Sequence, residues 1–312
     1  MLKDRLLAKA FVLIFSCIES AHAGTVLFQD DFAGVPTKMP SGATALYPDR
    51  SKWSFTFWPG VEWPTSYGDG TNWLASNYEF QTYVTPFTRP NGATVPNALT
   101  YNPFTIKPDG LHITAALLSV AQRSAYQLDS YRKFGSGMLS SYPAFSFLYG
   151  KVEVVAKLPS APGTWPAIWL LPKNESWPPE IDILEGMAWD SHAKQVHSGY
   201  FVPSGADYGD WFTVAAKPAG GFHTYGLVWS STEMTITFDG KTVYAQPTPA
   251  GMHTPMYLLI NLAIGGKWVL NEMGVAPIDG TGNARFETGG VLIKPGLPAD
   301  MVIKSVTVAA LD

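Results

Sequence analysis

The sequence predicts an all-β sandwich or barrel. Short runs of alternating apolar and polar residues recur along the chain, no segment has the length and caps of a long amphipathic helix, and 29 Gly and 25 Pro punctuate the runs. Alternation puts every second side chain on one face of a strand, so each run buries one face and exposes the other. Many short strands separated by turn residues assemble into sandwiches or barrels.

At the N-terminus Lys3, Arg5 and Lys9 precede an apolar stretch from Ala10 to Ile18, and Ala21-His22-Ala23 follows. A positive n-region, a short h-region and an A-x-A site read as a secretory signal peptide over residues 1–23. The apolar run is shorter than the ~20 residues a membrane span needs. The chain after it is expected to be secreted, extracellular or periplasmic. Its only cysteine, Cys17, leaves with the signal, so the core must stabilise the fold without a disulfide. Residues 24–312 carry no linker, repeat or composition break and read as one domain.

The stretch from Pro36 to about Thr100, rich in Pro, Gly, Asn and Trp, reads as loops carried on the scaffold. Leu111-His112-Ile113-Thr114, Lys151-Val152-Glu153-Val154, Met234-Thr235-Ile236-Thr237-Phe238 and the run from Val302 to Val308 read as strands. Pro108-Asp109-Gly110 marks a turn, and Asp239-Gly240 is placed to close a hairpin onto Lys241-Thr242-Val243-Tyr244.

Without the signal segment, 18 basic side chains face 23 acidic ones, a net charge of −5. Charges this thin and mildly acidic leave no electrostatic footprint for nucleic acid or an anionic membrane. The 11 Trp, 14 Tyr and 17 Phe exceed what one core needs, so some rings are expected to line a surface. Apolar ring faces suit sugar C–H faces while polar side chains take the hydroxyls, which makes an aromatic groove a carbohydrate site.

The chemistry concentrates in Glu180-Ile181-Asp182-Ile183-Leu184-Glu185. In a regular strand Glu180 and Asp182 share a face, but the five-residue offset sends Glu185 to the opposite one. One bulge between Asp182 and Glu185 would bring all three acids into one groove, and bulges are common beside active sites. Three such acids repel each other, so at least one pKa is expected to rise toward neutrality. A retaining glycosidase needs that pattern: one carboxylate attacks the anomeric carbon while a protonated partner donates to the leaving oxygen. A solvated strand face and a calcium cluster are the competing readings. Trp165, Trp169 and Trp177 just upstream speak for a groove, and a calcium loop would use Asp/Asn spacing in a loop instead of a β-rich run.

The same run resembles the laminarinase-like branch of glycoside hydrolase family 16, bulge included. The likeness extends through Phe134-Gly135-Ser136-Gly137-Met138, Tyr149-Gly150-Lys151-Val152-Glu153, Gly163-Thr164-Trp165-Pro166-Ala167-Ile168-Trp169-Leu170-Leu171-Pro172, Val196-His197, the run from Gly221 to Trp229, and Asn261-Leu262-Ala263-Ile264-Gly265-Gly266-Lys267-Trp268. It implies a concanavalin A-like jelly roll with the catalytic strand on the concave sheet. It further implies Glu180 as nucleophile, Glu185 as acid/base and Asp182 as their assistant. Trp165 and Trp177 would be sugar-stacking walls, His197 would stand near the acid/base, Trp268 would bind substrate, and Trp169 would pack inward.

Within the family, Leu74-Ala75-Ser76-Asn77-Tyr78-Glu79-Phe80-Gln81-Thr82-Tyr83-Val84, Asn102-Pro103-Phe104 and Ser176-Trp177-Pro178-Pro179-Glu180 look most like bacterial exopolysaccharide endo-β-glycanases of the succinoglycan-degrading type. Asn77, Glu79 and Gln81 would then bind glucose hydroxyls, although a solvated strand edge has the same look. Typical laminarinases carry Arg where this chain has Met138, which points away from plain β-1,3-glucan. Lys304 stands where many members have an Asp that helps hold a structural calcium, which argues against such a site near Asp31. The expected protein is a monomeric retaining endo-β-glycanase without cofactor, acting on internal β-1,3/1,4-glucosidic bonds of a glucan or exopolysaccharide. A laminarinase or lichenase on plain β-glucans, a transglycosylase and a non-catalytic lectin-like module are the alternatives.

Overall fold

The computed structural model describes residues 24–55, 57, 77, 79–87, 95–128, 132–188, 192–274 and 296–312. The signal segment at residues 1–23 therefore lies outside the described residues. In chain order the strands are β1 Val26–Asp30, β2 Val35–Lys38, β3 Thr44–Tyr47, β4 Gln81–Tyr83, β5 Phe104–Lys107, β6 Gly110–Leu117, β7 Phe134–Ser136, β8 Met138–Ser140 and β9 Gly150–Lys157. They continue with β10 Thr164–Pro172, β11 Glu180–Glu185, β12 Gln195–Phe201, β13 Asp207–Thr213, β14 His223–Trp229, β15 Glu233–Phe238, β16 Lys241–Pro247, β17 Met256–Ile264 and β18 Ala299–Ala309. Two short α-helices, α1 Val120–Ala125 and α2 Gly266–Glu272, and a 3-10 turn at Asn97–Leu99 complete the described elements.

The strands form the jelly-roll sandwich that the sequence implied. One sheet runs β16-β15-β14-β9-β18-β6-β7-β4, with β1 on β18 and β5 on β6; the other runs β13-β12-β11-β10-β17-β8. Alternation builds the layer between them. Val152, Val154 and Ala156 of β9 and Leu227 and Trp229 of β14 meet Leu258, Ile260, Leu262 and Ile264 of β17 and Ile168 and Leu170 of β10 in one buried cluster. Each Val, Leu or Ile side chain among them contributes about 1.5–3 kcal/mol by leaving water. The predicted hairpin at Asp239-Gly240 forms with Phe238 opposite Lys241. Both turn residues have positive φ, 50° and 73°, the backbone a two-residue turn needs to match strand twist.

Alternation is broken at two places that matter. In β18 the register shifts between Ile303 and Ser305, so Ile303 and Val306 both face the core and Lys304 stands out over the Phe222 ring at 5.8 Å. The stretch from Pro36 to Thr100 is not only loops. It contains the β2–β3 hairpin and β4, and Tyr47, Trp53, Phe55 and Phe80 belong to the main core. Its strands span three or four residues, too few for a period-two pattern to stand out, and its rings fill the sandwich. Residues 56, 58–76, 78 and 88–94 of this stretch lie outside the described residues.

Candidate active site

The site is built on β11, whose pairing contains the anticipated bulge. Asp182 faces Gly199 and Glu185 faces His197, so three steps on β11 span two on β12. On the other side Trp169 faces Asp182 and Ile168 faces Leu184. Ile181, Ile183 and Leu184 all enter the core between the sheets. Glu180, Asp182 and Glu185 are thereby turned to the other, concave face.

Each carboxylate has assigned partners. The Trp177 indole N–H donates to Glu180 Oε2 at 2.6 Å. The Trp165 indole N–H donates to Glu185 Oε1 at 3.0 Å, and His197 Nδ1 lies 2.8 Å from Glu185 Oε2. Asp182 is 4% exposed and hydrogen-bonds to Glu180. Burial, opposed by the Trp177 hydrogen bond and reinforced by the Glu185 charge, pushes Glu180 up to about 7. Burial, with the charges of Glu180 and Glu185, raises Asp182 well above the usual carboxylate range. Around neutrality the pair therefore holds a shared proton. The more deeply buried Asp182 carries it and donates to the Glu180 carboxylate. Burial pulls the His197 imidazole down, but the Glu185 hydrogen bond and charge, with Asp207 and Asp210, outweigh it and leave the pKa raised.

Cross-strand register extends the site over β12 and β13 in three rows. Glu180, Phe201 and Asp207 form the first; Asp182, Gly199 and Gly209 the second; Glu185, His197 and Trp211 the third. The middle row is a glycine floor. Trp177, half exposed, leans on Phe201 at 5.6 Å along one wall. Along the other, Trp268 of α2 packs 5.1 Å from Trp165, 5.2 Å from His197 and 5.4 Å, nearly parallel, from Trp211. His192 stacks on Trp211 at 3.8 Å, and its Nε2 bonds Glu272 of α2 at 3.0 Å.

The structure thus brings Glu180, Asp182, Glu185, Trp165, Trp177, His197 and Trp268 together. Glu79 bridges Gly265, the residue before α2, and Gln81 follows it on β4. Both are buried, Gln81 Nε2 donates to Glu79 at 2.6 Å, and Gln81 Oε1 accepts the Ile264 N–H at 2.7 Å. These amide contacts tie β4 to the end of β17. Asn77 lies nearer the groove: its carbonyl oxygen and the Trp165 ring both border Gly266. Trp169 packs with Phe57, Tyr83, Met138 and Tyr257, and its indole N–H donates to Asn261 at 2.7 Å. Met138 accordingly sits in apolar packing under the concave face. Asp31 Oδ1 accepts from Ala33 N at 3.2 Å. Among the described residues no group of three or more His, Cys, Asp or Glu is arranged to hold a metal ion.

Sequence reasoning missed Asp207, Trp211 and His192. Asp207 reaches Glu180 only across two strands, and His192 reaches α2 over 80 residues. The spacing along the chain carries no trace of either contact.

Residues 110–279 match the model of glycosyl hydrolases family 16. Two endo-1,3-1,4-beta-glycanases of Rhizobium meliloti, ExsH and EglC, are 38% and 36% identical over 69% and 66% of this chain. The chain spans 42% and 41% of the length of those relatives. Among solved structures, SCLam, a non-specific endo-beta-1,3(4)-glucanase, superimposes with a TM-score of 0.65 at 25% identity, covering 92% of this chain and 91% of that one. The laminarinase catalytic domain of Thermotoga maritima has the same fold, with a TM-score of 0.65 at 20% identity over 93% of this chain and 99% of its own.

Proposed function

The chain belongs to glycosyl hydrolases family 16, and on that premise we propose that it is a secreted, retaining endo-β-glycanase of internal β-1,3/1,4-glucosidic bonds in a glucan or exopolysaccharide. The observation that carries this reading is the bulged β11, which sets Glu180, Asp182 and Glu185 on one face, between two aromatic walls. The glycanase names of the Rhizobium meliloti relatives favour a backbone with both linkages.

In the first displacement the Glu180 carboxylate attacks the anomeric carbon, the bond to the leaving oxygen breaks, and Glu185 gives that oxygen its proton. A covalent glycosyl ester on Glu180 results. In the second, Glu185 takes a proton from a water that attacks the same carbon and frees Glu180. Asp182 keeps its proton throughout and hydrogen-bonds Glu180, which spreads the negative charge before attack. Trp177 and Trp165 each hold a carboxylate by the indole N–H while the rings border the groove. Transfer to a sugar instead of water would use the same residues. Secretion rests on the ordered n-region, h-region and A-x-A site of residues 1–23. No helix among the described residues is long and apolar enough to cross a membrane.

The test is product analysis on laminarin, lichenan, succinoglycan and agarose. Internal cuts in the β-glucose polymers, an intact agarose chain and loss of turnover by orders of magnitude in Glu180→Gln and Glu185→Gln are expected. Azide should rescue Glu180→Gly with an α-glycosyl azide and Glu185→Gly with a β-product. Near-normal turnover of either Gln variant would overturn the assignment.

A further inference from the structure

Gly209 has a φ that does not call for glycine. It lies inside the regular β12–β13 ladder, opposite Gly199, and is absent from the positive-φ positions. Its neighbour across the ladder differs in this respect: a side chain on Gly199 would strike the Tyr208 carbonyl at 2.5 Å and the Gly209 Cα at 2.7 Å, so main chain forbids it. A Cβ on Gly209 would strike chiefly a side chain, lying 2.8 Å from His197 Cε1 and 2.9 Å from Nε2, with the Ser198 carbonyl oxygen farther off at 3.2 Å. Carbon atoms in good contact sit about 3.5–4.0 Å apart.

The imidazole has little freedom to yield. Its Nδ1 is held on Glu185 Oε2 at 2.8 Å. Trp268 meets it edge-on at 5.2 Å and Trp211 at 5.5 Å. Trp211 is in turn held from behind by His192, which Glu272 of α2 fixes. A methyl at 209 would therefore act along the only soft coordinate left, the His197 torsion that carries Nδ1 away from Glu185.

We infer that Gly209 is a positioning residue for the acid/base: its missing side chain is the space that lets His197 lie over β13 and orient the Glu185 carboxyl group. This rests on Glu185 being the acid/base, as proposed above.

The experiment compares Gly209→Ala, His197→Ala, the double variant and Glu185→Gln. Each is assayed on lichenan and on a dinitrophenyl β-glucan oligosaccharide, whose leaving group departs without a proton, with kcat/KM reporting the first step. Gly209→Ala is expected to lower kcat on lichenan about tenfold or more, as misplaced acid catalysts do, with KM within about twofold. The aryl substrate should keep its kcat/KM within about twofold. Adding Gly209→Ala to His197→Ala should cost nothing further, because the contested space is then empty. An equal loss on both substrates, a rise in KM alone, or additive losses in the double variant would overturn the inference. If Gly209→Ala does not fold, folding regained in the double variant supports it and misfolding in both overturns it. Glu185→Gln separates the two readings. If it keeps full kcat/KM on lichenan, the acid/base assignment fails whatever Gly209 does.

Discussion

The carboxylates of the site are held at a cost to the fold, and replacing one should make the protein more stable in a way that depends on pH. Consider Glu180→Gln. In the folded protein Glu180 is pushed up from 4.5 to about 7, so between those pH values the native state holds a proton the unfolded chain has released. Stability then falls as pH rises through that window, because the native state binds more protons. The rise corresponds, at about 1.4 kcal/mol per pH unit, to at most about 3.5 kcal/mol, fully expressed above pH 7 and absent below 4.5. Glutamine carries no charge at either pH and keeps an oxygen for the Trp177 N–H. It also relieves Asp182 of a neighbouring charge, which acts in the same direction. The raised His197 has a slope of the same sign, stabilising below its unfolded pKa and less as pH rises through its folded one, but it is present in both proteins and cancels. The assay is thermal unfolding at pH 4 and pH 8. At roughly 2–4 °C per kcal/mol for a chain of this size, the variant should melt up to about 7–14 °C above the parent at pH 8 and level with it at pH 4. An equal shift at both pH values, or a loss at pH 8, would refute the electrostatic account.

Other expectations follow from the same contacts. Trp177→Phe keeps the ring but removes the N–H that lowers Glu180; the acid limb of the kcat/KM profile should move to higher pH, with the deficit recovered near pH 8. Asp207→Asn removes a charge that raises Glu180 and Asp182, and the same limb should move to lower pH, which paired pH profiles would resolve. Ile183→Ala empties part of the core beneath the bulge, where Ile183 is 2% exposed, and should cost about 2–5 kcal/mol in urea unfolding. An Ile183→Ala loss below 1 kcal/mol would mean that the bulge is not anchored by that side chain.

The parts of this molecule that were legible in its sequence are those written in local period. Residues 111–114, 151–154 and 234–238 alternate and are strands, and Asp239-Gly240 could form little but a tight turn. The bulge was legible for a different reason: the odd, five-residue offset from Glu180 to Glu185 leaves the third acid on the wrong face unless one residue between Asp182 and Glu185 is bulged. What could not be read is set by pairing across the sheet. Glu79 and Gln81 alternate like residues facing a groove, but Glu79 lies in an isolated bridge and Gln81 opens a strand of three residues buried on both faces, so alternation says nothing about solvent. Asp207 looks like any exposed acid until register aligns it with Glu180.

β13 bears on how such a site can change over time. Among the described residues it is the edge of its sheet, paired on one side only, and most of its residues are exposed, yet it supplies Asp207, Gly209 and Trp211 to the three rows. β17, at the other side of the catalytic strand, is buried along all nine of its residues. Mutational drift is therefore unequally tolerated across one sheet. Substitutions on the rim alter recognition while leaving the core packed, whereas substitutions on β17 unfold the protein before they can alter specificity. New substrate preferences in this scaffold should arise at its edge and advance inward, with the carboxylates the last to be reached.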